Sequence, residues 1–470
     1  MFKSVVYYIN SFVILGVFMS DNRSSFTSKL GFVLAAAGSA VGLGNIWRFP
    51  YLAAKYGGGI FLLVYIILSV TFGFSLMVAE IAIGRKTKLS AIGAYESLDK
   101  RFSFVGIIGA LVPTIILPYY SVIGGWVLKY LFGFTLGQTS AMAQDSYFSG
   151  YISQVGEPVL WFLLFIVLTA VIVLLGVDKG VEKVSKIMMP ILIALTIFIV
   201  IYTLTTMEGA WEGVIYYIKP DFSKFSIMTV VAAMGQLFYS MSLAMGIMIT
   251  FGSYMKTDVR IDKSVKQIEL FDTGIAFLAG LMIVPAVFAF SGGNEEALGQ
   301  GPGLMFVTLP KIFDSMPGGT FVGIAFFLMV FFAALTSAIS LMETVVSILM
   351  DKLKLGRKTC CLIVIGICLL IGLPASLGYS LWAEVKILGM QFLDFFDFFS
   401  NSLLMPIVAL ATSIFVGFFL KPKAIIDEVC LSGEFKMKGL FTVVIRYIAP
   451  VCILLILLSS ILSALGVITI

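Results

Sequence analysis

The chain has 470 residues, of which 60% are hydrophobic and 12% are charged, and its formal net charge is +5. A mean hydropathy of +1.07 is typical of a polytopic membrane protein and excludes an ordinary soluble domain or a nucleic-acid-binding protein. The absence of histidine excludes a histidine metal site or proton relay. The sequence also has no phosphate-binding glycine motif ending in Lys-Ser or Lys-Thr, which argues against an ATP-driven pump.

Residues 1–18 contain an apolar run, Phe12 to Phe18, that is too short to span a membrane. A signal peptide and a translation start at Met19 both fit this segment, and we treat 1–18 as a dispensable extension. Residues 19–470 then form a single transmembrane domain. Apolar windows of about 20 residues predict eleven membrane-spanning helices, near 31–54, 59–84, 104–131, 159–176, 187–206, 226–252, 268–290, 320–350, 359–378, 392–419 and 441–467.

Charge between the spans predicts the orientation. With the N-terminus in the cytosol, the cytosolic segments from residue 19 onward carry about 22 Lys and Arg, whereas the external segments carry five or six. This asymmetry indicates a multi-pass protein of the plasma membrane with a cytosolic N-terminus. The odd number of spans would leave the C-terminus outside. The five cysteines fall in spans or cytosolic segments and indicate no disulfide framework.

The first span is predicted to break at mid-depth. Glycines at 38, 42 and 44 are followed closely by Asn45, Arg48 and Pro50. Backbone left open inside a membrane is tolerated only where it lines a cavity or binds something. Free carbonyls with Asn45 suit a small cation, and free N–H groups suit an anion such as a carboxylate. The alternative is that the glycines only allow close helix packing.

The sixth span repeats this pattern, with Gly235, Gln236, Ser240, Ser242 and Gly246 at mid-depth. Interrupted spans five apart are typical of two inverted five-helix repeats with a binding site between them. The serines could instead bond their own backbone. These repeats would cover about 31–206 and 226–419, with an additional helix at about 441–467.

The eighth span carries Ala333, Thr336 and Ser337 on one helix face. A carbonyl and two hydroxyls there can supply oxygen ligands for an alkali or alkaline-earth cation. Backbone bonding by the Thr–Ser pair is again the alternative.

Among the carboxylates within predicted spans, Asp272, Glu80 and Glu343 are candidates for a functional role. A charged side chain at the membrane centre costs roughly 2.5–3.5 kcal/mol on insertion scales. A bound cation would allow Asp272 to stay ionised, whereas without a partner it would be protonated. Glu80 lies about one turn from the cytosolic end and could reach water, and Glu343 lies in the cytosolic half of its span.

These segments together resemble the neurotransmitter:sodium symporter family, and within it the bacterial amino-acid transporters. The resemblance runs from about Arg23 to Ile470. Its most specific part is Gly42-Leu43-Gly44-Asn45-Ile46-Trp47-Arg48-Phe49-Pro50. The resemblance implies an all-α, LeuT-like fold of inverted five-helix repeats, with helices 1 and 6 broken and eleven spans in total.

The resemblance also implies the ligands of two sodium ions. The first ion would be bound by the carbonyl of Ala40, the side chains of Asn45, Ser240 and Asp272, and the substrate carboxylate. The second would be bound by the carbonyls of Gly38, Val41 and Ala333 and the hydroxyls of Thr336 and Ser337. The implied substrate pocket comprises Ala40, Gly42, Gly44, Ile116, Tyr120, Tyr239, Ser240, Ser242, Met245, Ala338 and Leu341.

Two implied gates enclose this site. Arg48 and Asp397 would close it above Tyr239 on the external side, and Arg23 would pair with Asp351 on the cytosolic side. Phe26 occupies a place where the family often has tryptophan. Gly180 and Pro190 resemble a motif with which the fifth helix unwinds to open the inward path.

Two departures from relatives bear on the substrate and on chloride. Position 42 is glycine, whereas monoamine carriers have an aspartate there, so an amino acid that brings its own carboxylate is favoured over an amine. Tyr65, Gln236 and Ser240 match chloride ligands of relatives, but the last serine is replaced by Ala276, and Asp272 already supplies negative charge. We therefore expect that chloride is not required.

The sequence thus predicts sodium-coupled symport of a neutral amino acid, with two sodium ions and a large hydrophobic or aromatic substrate side chain. A proton-coupled carrier using Asp272, Glu80 or Glu343 is the alternative within transport. An intramembrane enzyme is the alternative of another class, although no convincing nucleophile–base arrangement is present. The sequence leaves the oligomeric state open.

Overall fold

The structure is a computed structural model that describes residues 25–292 and 302–464. Helices form the architecture of these ranges, and their only β pairings are two isolated bridges, Gly58 with Pro220 and Ile387 with Met390. The predicted all-α fold class is confirmed. The predicted extension 1–18 and the proposed gate residue Arg23 lie outside the described residues.

The helices are numbered in chain order. The first ten are α1 (Lys29–Ala40), α2 (Gly44–Lys55), α3 (Gly59–Thr87), α4 (Ala91–Leu98), α5 (Lys100–Thr135), α6 (Thr139–Met142), α7 (Asp145–Ile152), α8 (Gly156–Leu174), α9 (Val177–Thr206) and α10 (Ala210–Ile218). The remaining nine are α11 (Ile227–Ser240), α12 (Ile247–Ser253), α13 (Ile261–Phe290), α14 (Leu309–Ser315), α15 (Gly319–Leu353), α16 (Arg357–Leu377), α17 (Phe392–Phe419), α18 (Pro422–Cys430) and α19 (Lys438–Ser463).

Nine helices of the described residues are long and apolar enough to cross a membrane, and the bent pair α1–α2 brings the number to ten. The predicted sixth span is divided into α11 and α12, each too short to cross alone. The count of eleven therefore stays a prediction. Several helices extend beyond their apolar windows; α13, for example, begins at Ile261 and not near 268. Charged residues are compatible with a helix once it leaves the hydrocarbon region.

The break in the first span separates α1 from α2. Ser28 caps the start of α1, where its hydroxyl accepts a backbone N–H of the first turn at 3.0 Å. The helix ends at Ala40 because Val41 is extended (φ −73°, ψ 102°), and α2 continues at an angle of 55°. The Gly42 N–H donates to Asn45 Oδ1 at 3.1 Å instead of to a helical carbonyl. The asparagine thus satisfies backbone that the break exposes.

The break in the sixth span covers residues 241–246. Ser242, Ala244 and Gly246 have positive φ values of 52°, 60° and 70°. Left-handed backbone costs roughly 1–2 kcal/mol for a residue with a side chain, so the surroundings must stabilise this segment. Glu80 of α3 does so, since its Oε1 accepts the Ala244 N–H at 2.8 Å. Both predicted helix breaks are therefore present.

The long helix α15 lies at the centre of the bundle. Its apolar window is 72% buried, compared with 33% for the peripheral α19. It packs against α1, α5 and α9, so side chains from α15 and α5 reach the two helix breaks. After the undescribed residues 293–301, the chain folds back onto α5, where Tyr130 OH donates to the Phe306 carbonyl at 2.8 Å.

Candidate functional site

The two helix breaks border a cavity of about 30 Å³. Backbone of both breaks lines it, together with side chains from α5 and α15. The lining residues are Ser39, Ala40, Gly42, Leu43, Gly44, Asn45, Ile116, Tyr120, Tyr239, Ser240, Ser242, Met245, Ile247, Ser337 and Leu341. None of these residues is charged, so the cavity offers backbone dipoles, hydroxyls and apolar surface.

A buried polar cluster adjoins this cavity where α2, α11 and α13 meet. Asn45 Nδ2 donates to Asp272 Oδ1 at 2.8 Å and to Ser240 Oγ at 3.0 Å, and Ser240 Oγ donates to Asp272 Oδ1 at 2.7 Å. Tyr65 OH donates to the other carboxylate oxygen at 3.3 Å. Asp272 is fully buried, and no cationic side chain of the described residues forms an ion pair with it. The structure thus brings together the side chains expected at the first sodium site, around a carboxylate that lacks a positive partner.

A second set of oxygens lies between α1 and α15. Ser337 Oγ is 3.3 Å from the Gly38 carbonyl and 3.2 Å from the Val41 carbonyl. Thr336 Oγ1 is 3.2 Å from the Ala333 carbonyl and 2.9 Å from the Phe332 carbonyl. The five residues expected at the second sodium site are therefore adjacent. Both bonds of the Thr336 hydroxyl go to carbonyls of its own helix, which is the alternative that the sequence left open.

Tyr120 of α5 marks the end of the cavity at the start of α2. Its hydroxyl accepts the Leu43 N–H at 3.3 Å. A Cβ atom at Gly42 would lie 3.1 Å from this hydroxyl and 2.9 Å from Ser337 Oγ. A side chain at position 42 would therefore occupy the space between α1, α5 and α15, and glycine leaves that space for a ligand.

The other end of the cavity is mainly apolar, with Ile116, Met245 and Leu341. Of the expected substrate-pocket residues, Ala338 is buried but does not line the cavity. Successive helix residues point about 100° apart. Ser337 and Leu341 are four residues apart and therefore lie on the same helix face, which lines the cavity.

Sequence reasoning did not single out Ser39, Leu43 and Ile247, which also line the cavity. Ser39 and Ser242 are joined across the two breaks: Ser39 Oγ donates to Ser242 Oγ at 3.1 Å, and Ser242 Oγ contacts the Ser39 carbonyl at 2.9 Å. The position of Ser39 within the glycine-rich stretch of the first span could have indicated that it lines the cavity.

The external gate residues lie above the cavity. The Arg48 guanidinium carbon is 5.5 Å from the centre of the Tyr239 ring, and a Cβ at Gly44 would overlap that ring at 2.4 Å. Asp397 accepts from Tyr119 OH at 3.1 Å and from Asn401 Nδ2 at 2.6 Å. Among the described contacts, Arg48 and Asp397 form no direct ion pair.

On the side predicted to be cytosolic, Asp351 accepts the Ser90 N–H at 2.8 Å, while its expected partner Arg23 is outside the described residues. Phe26 packs edge-on against Phe32, Phe251 and Tyr254. This aromatic cluster packs the start of α1 against α12.

The start of α9 also binds the start of α1. Glu182 Oε2 accepts the Thr27 N–H at 2.7 Å, and its other oxygen contacts the hydroxyls of Thr27 and Ser28. Residues Val177–Glu182 form a π-helical turn around Gly180, which packs so closely that a Cβ there would lie 2.1 Å from the Ile172 carbonyl. The region of the expected unwinding motif is thus in direct contact with α1.

The other two carboxylates considered from the sequence, Glu343 and Glu80, differ in their partners. Glu343 forms a bidentate pair with Arg357 (2.5 and 3.0 Å) and accepts from Tyr254 OH at 2.8 Å. Glu80 supports the break in the sixth span through one oxygen, and among the described residues its other oxygen has no hydrogen-bond partner. Both carboxylates therefore have structural contacts outside the cavity.

Comparisons with known proteins agree with this geometry. The sequence profile of the sodium:neurotransmitter symporter family matches residues 23–149 and 142–467. An uncharacterized sodium-dependent transporter of Bacillus subtilis, YhdH, is 36% identical over 452 residues, which cover 94% of this chain and 99% of that protein. An uncharacterized sodium-dependent transporter of Haemophilus influenzae is 34% identical, with 94% and 99% covered. The crystal structure of MhsT in complex with L-phenylalanine superimposes with a TM-score of 0.85 at 39% identity, and covers 93% of this chain and 100% of that chain.

Proposed function

Because the chain belongs to the sodium:neurotransmitter symporter family, we propose that it carries a neutral amino acid with a large hydrophobic or aromatic side chain into the cell, together with two sodium ions. One observation carries the proposal: an uncharged cavity lies between two broken helices, beside a buried carboxylate that forms no ion pair with any described residue. A zwitterion and a cation fit this combination of open backbone and unpaired negative charge.

The substrate carboxylate would bind at the start of α2. The positive end of the helix dipole at the start of α2 favours an anion there, and Tyr120 OH, which accepts the Leu43 N–H, would donate a hydrogen bond to it. The substrate amine would face the carbonyls of Ala40 and of Tyr239 and Ser240, at the negative end of α11.

The first sodium ion would then bind between Ala40, Asn45, Ser240 and Asp272, and would share the substrate carboxylate. The second would bind the carbonyls of Gly38, Val41 and Ala333 with the hydroxyls of Thr336 and Ser337. Both sets contain only oxygen ligands, as hard cations prefer. Sharing the carboxylate would make sodium and substrate binding interdependent.

The preference for a large side chain rests on Ile116, Met245 and Leu341. Charged side chains would be rejected because the lining offers them no partner. Methionine is flexible and makes favourable contacts with aromatic rings, and the related MhsT was crystallised with L-phenylalanine.

The driving force is sufficient for this symport. Each sodium ion that moves down about 100 mV gains roughly 2.3 kcal/mol, and a tenfold concentration gradient adds about 1.4 kcal/mol. Two ions supply about 7 kcal/mol, which supports accumulation of a zwitterion by roughly 10⁵-fold. Alternating access would open the site outward past Arg48 and Asp397 and inward by release of α1, with no covalent chemistry.

Uptake by proteoliposomes tests the proposal. Purified protein would be reconstituted with an inward sodium gradient, and uptake of labelled phenylalanine, tyrosine, tryptophan and leucine would be compared with glycine, alanine, lysine and glutamate. Replacement of sodium by potassium, with a proton gradient as a separate arm, distinguishes the ions. Uptake driven by protons without sodium would refute sodium coupling, and a preference for glycine or alanine would refute only the assignment of a large substrate.

A further inference from the structure

The side chain of Arg85 is completely buried in the last turn of α3, at the end predicted to be cytosolic. A charge in such a place is costly unless it is paired and its hydrogen-bond donors are satisfied. Arg85 Nε donates to Glu428 Oε1 of α18 at 2.8 Å, and a second guanidinium nitrogen donates to the Glu428 carbonyl. The third nitrogen donates to the Val259 carbonyl at 2.8 Å. Arg85 thus joins α3 to α18 and to the connection between α12 and α13.

The end of α3 packs directly against the backbone of α12. A Cβ at Gly84 would lie 1.9 Å from the Ile249 carbonyl oxygen, and a Cβ at Gly252 would lie 2.3 Å from the Ile81 carbonyl oxygen. Backbones in such contact leave no space between the two helices. Arg85 follows Gly84 in the sequence, so its guanidinium holds the chain that leaves α12 against the end of α3.

The chain that leaves α12 also binds the start of α1, and we call it the 254–259 segment. The Tyr254 carbonyl accepts the Phe26 N–H at 3.2 Å, and the two rings pack edge-on. Lys256 Nζ donates to the Thr27 carbonyl at 3.4 Å. The start of α1 is therefore bonded to one end of a short segment whose other end is held by the buried guanidinium.

The chemistry of this ion pair suits positioning better than stabilisation. Replacing a buried ion pair by apolar residues of similar volume often leaves stability unchanged or raises it. A guanidinium, however, is a planar fork that fixes the direction of each of its bonds. Because all three nitrogens of Arg85 donate, two to Glu428 and one to the Val259 carbonyl, both α18 and the 254–259 segment are placed relative to α3.

We propose that Arg85 and Glu428 are positioning residues for the contact that keeps the start of α1 closed. Glu428 orients the guanidinium, the guanidinium fixes the Val259 carbonyl, and the 254–259 segment then presents the Tyr254 carbonyl to Phe26. Its role in gating rests on the proposed alternating access, in which the start of α1 is released for inward opening. The helix α18 would thus favour the state closed to the cytosol, although it lies outside the cavity lining.

Hydrogen–deuterium exchange of the purified full chain in detergent, followed by mass spectrometry, tests this role. Arg85→Met/Glu428→Leu removes both charges with side chains of similar volume, so its thermal unfolding should stay close to that of the wild type. The Phe26 amide should nevertheless exchange about tenfold faster. This factor corresponds to about 1.4 kcal/mol, which is close to the contribution of one hydrogen bond from a charged group.

The measurement is made in potassium, so its result depends neither on sodium binding nor on the identity of the substrate. A failure of sodium-driven uptake would refute the proposed function and leave this result standing. The matched control is Lys352→Gln/Glu96→Gln, which removes an exposed ion pair on the same side of the protein and should leave exchange at Phe26 unchanged. Arg85→Lys keeps the charge but loses the planar fork, so it should also accelerate exchange at Phe26.

Three results would overturn the proposal. One is an exchange rate at Phe26 equal to that of the wild type in folded Arg85→Met/Glu428→Leu. The second is faster exchange throughout the chain, including α5, since the pair would then only stabilise the fold. If the double variant does not fold, Arg85→Lys decides the question, and unchanged exchange at Phe26 in that variant is the third.

Discussion

Replacing Asp272 by asparagine isolates the charge that the proposed first sodium ion requires. Asp272→Asn keeps the size of the side chain, and its Oδ1 can still accept from Asn45 and Ser240, which lie at 2.8 and 2.7 Å. The new amide can donate to Tyr65 OH, which is 3.3 Å from the other carboxylate oxygen. The substitution therefore changes the charge while the hydrogen bonds around it persist.

The loss of sodium affinity follows from the burial of Asp272. Two opposite charges about 4 Å apart attract by about 4 kcal/mol at the effective dielectric constant of a protein. Dehydration of the ion and the carboxylate offsets part of this, which leaves about 2 to 4 kcal/mol. The sodium concentration for half-maximal uptake should rise between roughly 30-fold and several hundredfold, since about 1.4 kcal/mol corresponds to a factor of ten.

The assay measures labelled phenylalanine uptake by proteoliposomes over a series of sodium concentrations at constant ionic strength. Asp394→Asn is the matched control, because Asp394 is an acidic residue of α17 that does not line the cavity. Gel filtration and thermal unfolding would establish that each variant is folded. A folded Asp272→Asn variant with the sodium dependence of the wild type would show that this carboxylate is not a sodium ligand.

Three further predictions address the second ion, chloride and the substrate. Thr336→Ala/Ser337→Ala should abolish sodium-driven accumulation because it removes two hydroxyl ligands. The control Thr344→Ala loses only a bond to its own helix and should retain accumulation. Full accumulation in the double variant would mean that both hydroxyls only bond the backbone. Replacing external chloride by gluconate should leave the uptake rate nearly unchanged, because Asp272 already supplies the negative charge, and a large loss of rate would contradict that reasoning. Met245→Phe should fill the apolar end of the cavity and shift substrate preference from aromatic toward smaller aliphatic amino acids, as measured by competition assays. An unchanged order of preference would show that Met245 does not set the size of the accepted side chain.

The start of α1 is joined to α9 by side-chain contacts. Glu182 of α9 accepts from the backbone and hydroxyl of Thr27 at the start of α1. It also pairs with Lys186 one turn later at 2.6 Å. Unwinding of the turn that carries Glu182 would remove these contacts together, so we expect any movement of α9 there to release the start of α1.

The sequence alone determined the class of protein and the position of its helix breaks. Continuous apolar windows predict spanning helices because lipid offers backbone groups no other partner. Glycines 42 and 44 with Pro50 predicted the first break, because glycine and proline weaken a helix locally. The family resemblance, confirmed by the comparisons, extended this local reading to the ligand residues, whose roles stay predictions.

Tertiary structure decided which polar groups meet. Asn45 and Asp272 are 227 residues apart, and only the packing of α13 against α2 brings them within 2.8 Å. The bonds between Ser39 and Ser242 likewise depend on the relative placement of two breaks, and Ala338 lies off the cavity although its neighbour Ser337 lines it. Local sequence indicates where a backbone group lacks a helical hydrogen bond and where a charge is costly to bury. Packing across the whole bundle sets the rotation and crossing angle of each helix, and these determine which side chain bonds the open group or lies beside the charge.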